Sequence, residues 1–158
     1  IDDLPQTKEI PVFVEGKTEY LQAKLQRSEQ GYYIYALDNY QFTAEEPGND
    51  VIFSTIDDSF FIRIQRHALD ADISKLKQNA ILSLKDIGEA RELSGEEISD
   101  PFFRTNKFFL NASNNEISVN RILREIDGSL FNFTMFLPST EATEEIMFSF
   151  YAMMKTIR

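Results

Sequence analysis

The 158-residue sequence contains no cysteine, no tryptophan, a single histidine and only six glycines. Without cysteine there is no disulfide, no thiolate metal site and no cysteine nucleophile, and any imidazole-dependent mechanism must draw on His67 alone. The compartment stays open, because cytosolic proteins and many extracytoplasmic proteins of Gram-positive bacteria both do without cysteine. Gly16, Gly31, Gly48, Gly88, Gly95 and Gly128 are scattered through the chain. Phosphate cradles instead cluster their glycines ahead of a helix, so nucleotide binding of the Rossmann or P-loop kind is excluded. No stretch reaches the roughly eighteen apolar residues of a membrane-spanning helix, and none has the charged-then-apolar form of a signal peptide. The chain opens at Ile1 without an initiator methionine, from which a removed upstream signal, anchor or tag is expected. Positive charge is scarce as well: 16 basic residues face 26 acidic ones, for a net charge of −10. A surface of that sign repels phosphate backbones and anionic headgroups. The basic pairs Arg63 with Arg66 and Arg121 with Arg124 fall in strand-like segments and read as solvated sheet faces, so nucleic acid is not an expected partner.

What the chain does contain is apolar and aromatic. Hydrophobic residues make up 42%, with 14 Phe and 6 Tyr, which is far from the composition of disorder and enough for one well-formed core at this length. Residues 1–17 are expected to be a polar lead-in or tether end, and residues 18–158 a single domain. Leu21, Ala23 and Leu25 alternate with polar residues at the two-residue period of a half-buried strand. Residues 32–37 and 40–44 follow as two strands rich in β-formers. Glu45-Glu46-Pro47-Gly48-Asn49-Asp50 is a strong turn signal, and residues 51–56 and 60–65 read as a hairpin with Phe60, Ile62 and Ile64 inward.

At residue 71 the period changes. Ile73, Leu76, Ala80, Leu84 and Ile87 recur at helical spacing, with Asp70 or Asp72 as N-cap and Gly88 as a left-handed stop. Residues 89–101 read as a polar surface excursion. Three strands at about 102–111, 116–126 and 129–137 then form a meander closed by Asp127-Gly128. A phase shift from Ile117 and Val119 to Ile122 and Ile126 predicts a bulge at Asn120 or Arg121. Pro138-Ser139-Thr140 precedes a second helix with early glutamates and a stripe of Ile146, Met147, Phe150, Met153, Met154 and Ile157. The fold class is therefore α+β, an antiparallel sheet with two main helices.

The strand pair 32–42 leading into a Pro-Gly turn, and the closing Phe133-Thr134-Met135-Phe136-Leu137-Pro138 followed by Met153-Met154-Lys155-Thr156-Ile157-Arg158, resemble the PsbP/Mog1-like α/β/α sandwich. The likeness spans about residues 20–158 and is closest to the small, often lipid-anchored representatives of Gram-positive bacteria. It implies an extracytoplasmic, membrane-tethered accessory or binding domain, with a cytosolic location as the alternative. It brings no functional residues with it.

No pairing of nucleophile and base is visible around His67. Glu45/Glu46, Asp57/Asp58 and Glu96/Glu97 all lack the ligand spacing of a calcium loop; the last two pairs read as solvated turns, the turn after Glu45/Glu46 would hold both carboxylates and Asp50 close together, and no metal and no cofactor is expected. The sequons at Asn111 and Asn132 read as chance occurrences. The expected role is non-enzymatic, with a protein or peptide partner. A cytosolic interaction adaptor stands as the alternative, and behind it a metal-dependent hydrolase using Glu45, Glu46, Asp50 and His67. The candidate binding surface is Tyr33 and Tyr35 bordered by the acidic Glu45 and Glu46, a tyrosine patch with a negative rim.

Overall fold

In the computed structural model, residues 4–158 are described, and they form two antiparallel sheets and two helices. The first sheet contains β1 (Thr7–Val14), β2 (Lys17–Arg27) and β3 (Tyr33–Leu37), in that order. The second has seven strands: β4 (Tyr40–Glu45), β5 (Asn49–Ser54), β6 (Phe61–His67), β7 (Arg91–Glu92), β8 (Phe108–Ser113), β9 (Ile117–Ile126) and β10 (Ser129–Pro138). Their spatial order is β4-β5-β6-β10-β9-β8-β7. α1 (Ile73–Ser83) and α2 (Thr143–Met154) lie on opposite sides of this larger sheet. α2 packs with the small sheet over Ile52, Ile62, Ile64, Phe133 and Met135, while α1 packs over Phe108, Leu110, Ala112, Val119 and Leu123. This is the α+β sandwich with two main helices that the pattern predicts.

Residues 7–14, expected as part of a lead-in, are instead a full edge strand. Thr7 through Val14 pair in continuous register with Lys24 back to Lys17, and Ile10 and Val12 are buried. The alternation is real but short, and Pro5 and Pro11 mask it; Pro11 is tolerated because β1 is an edge strand with a free side. The part of the lead-in before Leu4 lies outside the described residues.

Three other expectations change for identifiable reasons. β9 has no bulge: Ile126 through Ile117 face Ser129 through Pro138 one for one. The apparent phase shift arises because β9 is buried on both sides, Val119 and Leu123 under α1 and Ile122 toward α2. Residues 101–104 form a 3-10 turn instead of opening a strand, with the Asp100 carboxylate accepting from the Phe102 amide. The excursion before it drops Ile98 into the core. Gly88 is not a left-handed stop; α1 ends at Ser83, and a Cβ at position 88 would sit 2.7 Å from the Ser113 carbonyl oxygen, so glycine is required by close approach to β8. Asp127 (φ 49°) and Gly128 (φ 81°) make the tight β9–β10 turn with both central residues at positive φ, as a type I′ turn requires.

One polar cluster joins the two sheets. Asp50 on β5 is 1% exposed, and it accepts from the Tyr32 hydroxyl (2.7 Å), the Gln30 side-chain amide (2.8 Å) and the Ser28 hydroxyl. All three donors come from the β2–β3 connection. Gln30 also donates to the Ile64 carbonyl and accepts from the Arg66 amide, so one side chain locks that connection onto β6. Burial, with the Asp50 carboxylate beside it, raises the Tyr32 hydroxyl well above the ordinary tyrosine range and keeps it a donor.

Two stability outcomes follow from this packing. Phe150 and Met153 are both 0% exposed, so alanine at either site is expected to cost about 2–5 kcal/mol in denaturant unfolding. A loss below about half a kcal/mol at both would mean the stripe is not core. Asp50→Ala strips three donors of their acceptor at once and should cost clearly more than Tyr32→Phe, which removes one donor worth about 1 kcal/mol. Equal losses in the two variants would show that the cluster does not act as a unit.

Candidate functional site

The expected tyrosine-and-glutamate patch is not assembled. Tyr35 is buried: its hydroxyl donates to the Pro5 carbonyl at 2.6 Å, the Lys8 ammonium lies 4.4 Å from its ring, and its backbone amide donates to Thr156 Oγ1. Tyr33 is half-buried under Arg27, which donates to its hydroxyl and stacks on its ring. Both tyrosines belong to the small sheet, whereas Glu45 belongs to the large one and Glu46 is exposed in the following turn. The hydrolase constellation is dispersed too. By register, Asp50 lies on the α2 side of the large sheet; Glu45 pairs with Arg63, and the His67 ring contacts the Gln65 side chain. Among the described residues no three acidic or histidine groups are placed to hold a metal ion.

The arginines are arranged quite differently from their order in sequence. Residues three apart in a strand point to opposite faces, so Arg63 and Arg66 separate, as do Arg121 and Arg124. The register regroups them across strands. Thr134 on β10 faces Arg121 on one side and Arg63 on the other, giving a cross-strand row Leu110, Arg121, Thr134, Arg63, Val51, Thr43 on the α1 side. On the opposite side Phe131 stands between Arg124 and Arg66. In that second pair Arg66 donates to the Gln30 carbonyl and the Ser129 hydroxyl, while Arg124 lies 3.9 Å over the Phe102 ring and, like Arg121, has a buried Nε without a partner.

The Arg63–Arg121 row borders a cleft of about 520 Å³, a volume typical of small-molecule sites. It exists because α1 covers the β8–β9 half of the sheet and stops at Ser83, leaving the β6–β10 part of that face open beside the helix end. Ser83, Leu84, Asp86 and Ile87 form one wall, and Arg63, Gln65, Arg121, Asn132 and Thr134 the other. Val119 and Phe136 add apolar surface, and the Phe136 ring stacks on Phe61 with centroids 4.2 Å apart.

The two guanidinium groups are in different states. Arg63 is held by Glu45 in a two-point pair, Nε to Oε1 at 2.6 Å and Nη2 to Oε2 at 3.3 Å. Arg121 donates from Nη1 to the Ser83 hydroxyl and from Nη2 to Asn132 Oδ1 at a long 3.4 Å, while its Nε is buried without a partner. Among the described residues no carboxylate lies within ion-pair distance of Arg121. Burial, and then the nearby Arg63 charge, push the Arg121 guanidinium below its ordinary value, although an arginine remains charged at neutral pH. In a chain of net charge −10, a partly buried cation without an acidic partner at a cleft is the feature that stands out.

Fold and site together define the class: a Mog1-like α+β sandwich with an arginine-lined cleft on the α1 side of its large sheet. A solved structure of a Mog1 mutant shares this fold with a TM-score of 0.55 at 10% identity, over 86% of this chain and 95% of that one. LpqN, described as involved in cell envelope biogenesis of Mycobacterium tuberculosis, aligns at 14% identity and TM-score 0.41, over 97% and 91% of the two chains. A protein of Bacteroides thetaiotaomicron aligns at 12% and 0.43, over 80% of this chain and 44% of that one. No curated protein matches the sequence. Residues 4–158 match the family described as domain of unknown function DUF8580, and the chain belongs to that family.

The Glu45–Arg63 pair supplies a direct check on this electrostatic layout. Hydrogen bonding to Arg63 holds the Glu45 carboxyl below the usual glutamate range. The shift is downward, so the pair's contribution to folding is present at neutral pH. It is lost only as the pH falls through the depressed value, below the ordinary carboxylate titration. Carboxyl NMR titration should place Glu45 below the ordinary range in the wild type and return it to that range in Arg63→Met. An unchanged midpoint would mean that the pair does not form in solution.

Proposed function

We propose that this chain is a non-catalytic binding domain that receives an anionic group of a protein or peptide partner in the cleft between α1 and the seven-stranded sheet. One observation carries the proposal: Arg121, a partly buried cation on the cleft wall with no carboxylate in ion-pair distance among the described residues. A partly buried cation without a counter-charge is costly, and an anion seated beside it offsets that cost. The surrounding side chains support binding over chemistry. Gln65, Asn132, Thr134 and Ser83 hydrogen-bond well but are poor proton acceptors at neutral pH, and the acidic Asp86 at the rim is exposed. The extracytoplasmic, membrane-tethered setting implied by the Gram-positive representatives of the fold belongs to the same proposal, and fractionating cells that express the full-length gene would test it.

Binding is tested with ¹⁵N-labelled protein titrated with acetate, inorganic phosphate and methylammonium. The two anions should shift resonances of Gln65, Arg121 and Thr134 in a saturable way, methylammonium should not, and Arg121→Met should abolish the effect. Shifts that are uniform over the surface, or centred elsewhere and unchanged in Arg121→Met, would defeat the proposal.

A further inference from the structure

The cleft also carries information about which anion it takes, and we infer that its ligand is a single carboxylate attached to an apolar group, as in a peptide ending in an apolar residue or a free apolar acid. This inference rests on the binding role proposed for the cleft and deepens it.

Charge accounting comes first. Of the two guanidinium groups on the wall, Arg63 already has its fork occupied by Glu45, so only Arg121 is uncommitted to a carboxylate. Asp86 at the rim adds a negative charge of its own. Summed over Arg63, Arg121, Glu45 and Asp86 the formal charge is zero, so a phosphate dianion would leave the cleft more strongly negative than a monoanion paired with Arg121. A dianion would need a second free cation, and among the described residues no lysine lines the cleft. Each Nη of Arg121 gives one hydrogen bond and keeps a second N–H, and two such N–H groups of a guanidinium meet the two oxygens of a planar carboxylate in a parallel pair of hydrogen bonds.

Shape and polarity make the second argument. Beside Arg121 the half-buried Ile87 and Phe136 expose apolar surface to the cleft over the buried Leu84 and Val119, so a carboxylate on Arg121 has apolar surface next to it. Phe136 is only half-buried and its ring is fixed by stacking on Phe61, which presents a firm edge to an apolar body. On the same wall as Arg121 lie Asn132 and Gln65, one cross-strand pair; Asn132 is buried and already accepts from Arg121, while the half-buried Gln65 amide is chemically matched to a peptide group behind a terminal carboxylate. Arg121 itself is anchored to Ser83 on α1 and Asn132 on β10, so the cation is positioned before any ligand arrives.

The experiment uses the whole chain and calorimetric titration backed by NMR mapping. The probes are 3-phenylpropionate, an acetylated tripeptide ending in leucine with a free carboxylate, the same tripeptide with a C-terminal amide, octyl phosphate and octylamine. The two carboxylates should bind at the cleft, the amidated peptide should lose at least about tenfold, and Arg121→Lys should lose a similar factor, because an ammonium cannot present the paired donors. Tighter binding of the peptide than of phenylpropionate identifies a chain terminus as the natural source, and the reverse order a free acid; both uphold the inference. Glu45→Gln releases Arg63 and should improve octyl phosphate binding at pH 8 more than it improves either carboxylate. If Arg121→Lys does not fold, Thr134→Phe fills the cleft without removing a charge and should abolish binding of both carboxylates. Octyl phosphate or the amidated peptide binding the cleft as tightly as the carboxylates would overturn the inference while leaving the cleft a binding site. No saturable binding of any probe at the cleft would overturn both.

Discussion

A buried carboxyl group with no ion pair would ordinarily be among the most destabilising groups a small domain could hold, and among the described residues Asp50 is such a group. It persists because three donors from one short connection converge on it. The Ser28, Gln30 and Tyr32 side chains are all delivered by the β2–β3 link, and Asp50 itself sits on β5 of the other sheet. Charge-assisted hydrogen bonds of this kind are directional, so the cluster sets how the small sheet lies on the large one, where apolar packing alone would tolerate sliding. Gln30 and Arg66 extend the lock to β6 and β10 through Ile64, Ser129 and the backbone. The small sheet in turn holds α2, through Phe13 against Phe148 and through Thr156 and Met153 against the backbone of β3.

That arrangement commits most of one face of the large sheet to the core and leaves the other only half covered. α1 is short, and its contacts stop at the β8–β9 side. The uncovered part is therefore where the protein can meet something else. Its surface is mixed: the stacked Phe61 and Phe136, the half-buried Phe53, and the cationic row at Arg63 and Arg121. Glu45 neutralises one of those cations from within, so the overall acidity of the chain and a locally cationic cleft coexist without contradiction.

The two basic pairs read from the sequence show how a correct observation can be assigned the wrong grouping. Arg63 and Arg66, or Arg121 and Arg124, are near in sequence, and the sequence pattern assigns both pairs to solvated faces. In the folded sheet the neighbours are Arg63 with Arg121 around Thr134, and Arg66 with Arg124 around Phe131. The three-residue spacing in a period-two structure was a legible hint that each pair must split. Which members meet afterwards depends on the register of β6, β9 and β10, to which the local pattern contributes only in part. The tyrosines teach the complementary lesson: the β3 segment was recognisable, but the residue 7–14 strand that helps bury Tyr35 was hidden behind two prolines.

By itself the sequence determined what short-range physics controls. The alternation of apolar residues set most strands, the 3.6-residue period set both helices, Asp72 capped the first of them, and Asp127-Gly128 closed the last hairpin. It also set the exclusions that follow from absent chemistry, since a missing cysteine or glycine cluster cannot be supplied by folding. Only the tertiary structure decided which donors satisfy Asp50, that Tyr35 is core, that β9 is buried on both sides without a bulge, and that Arg121 lines a cleft with no carboxylate in ion-pair distance among the described residues. Those outcomes depend on contacts between segments far apart in the chain. Strand register and layer packing bring such segments together through many weak terms acting at once, and no local window of residues contains them.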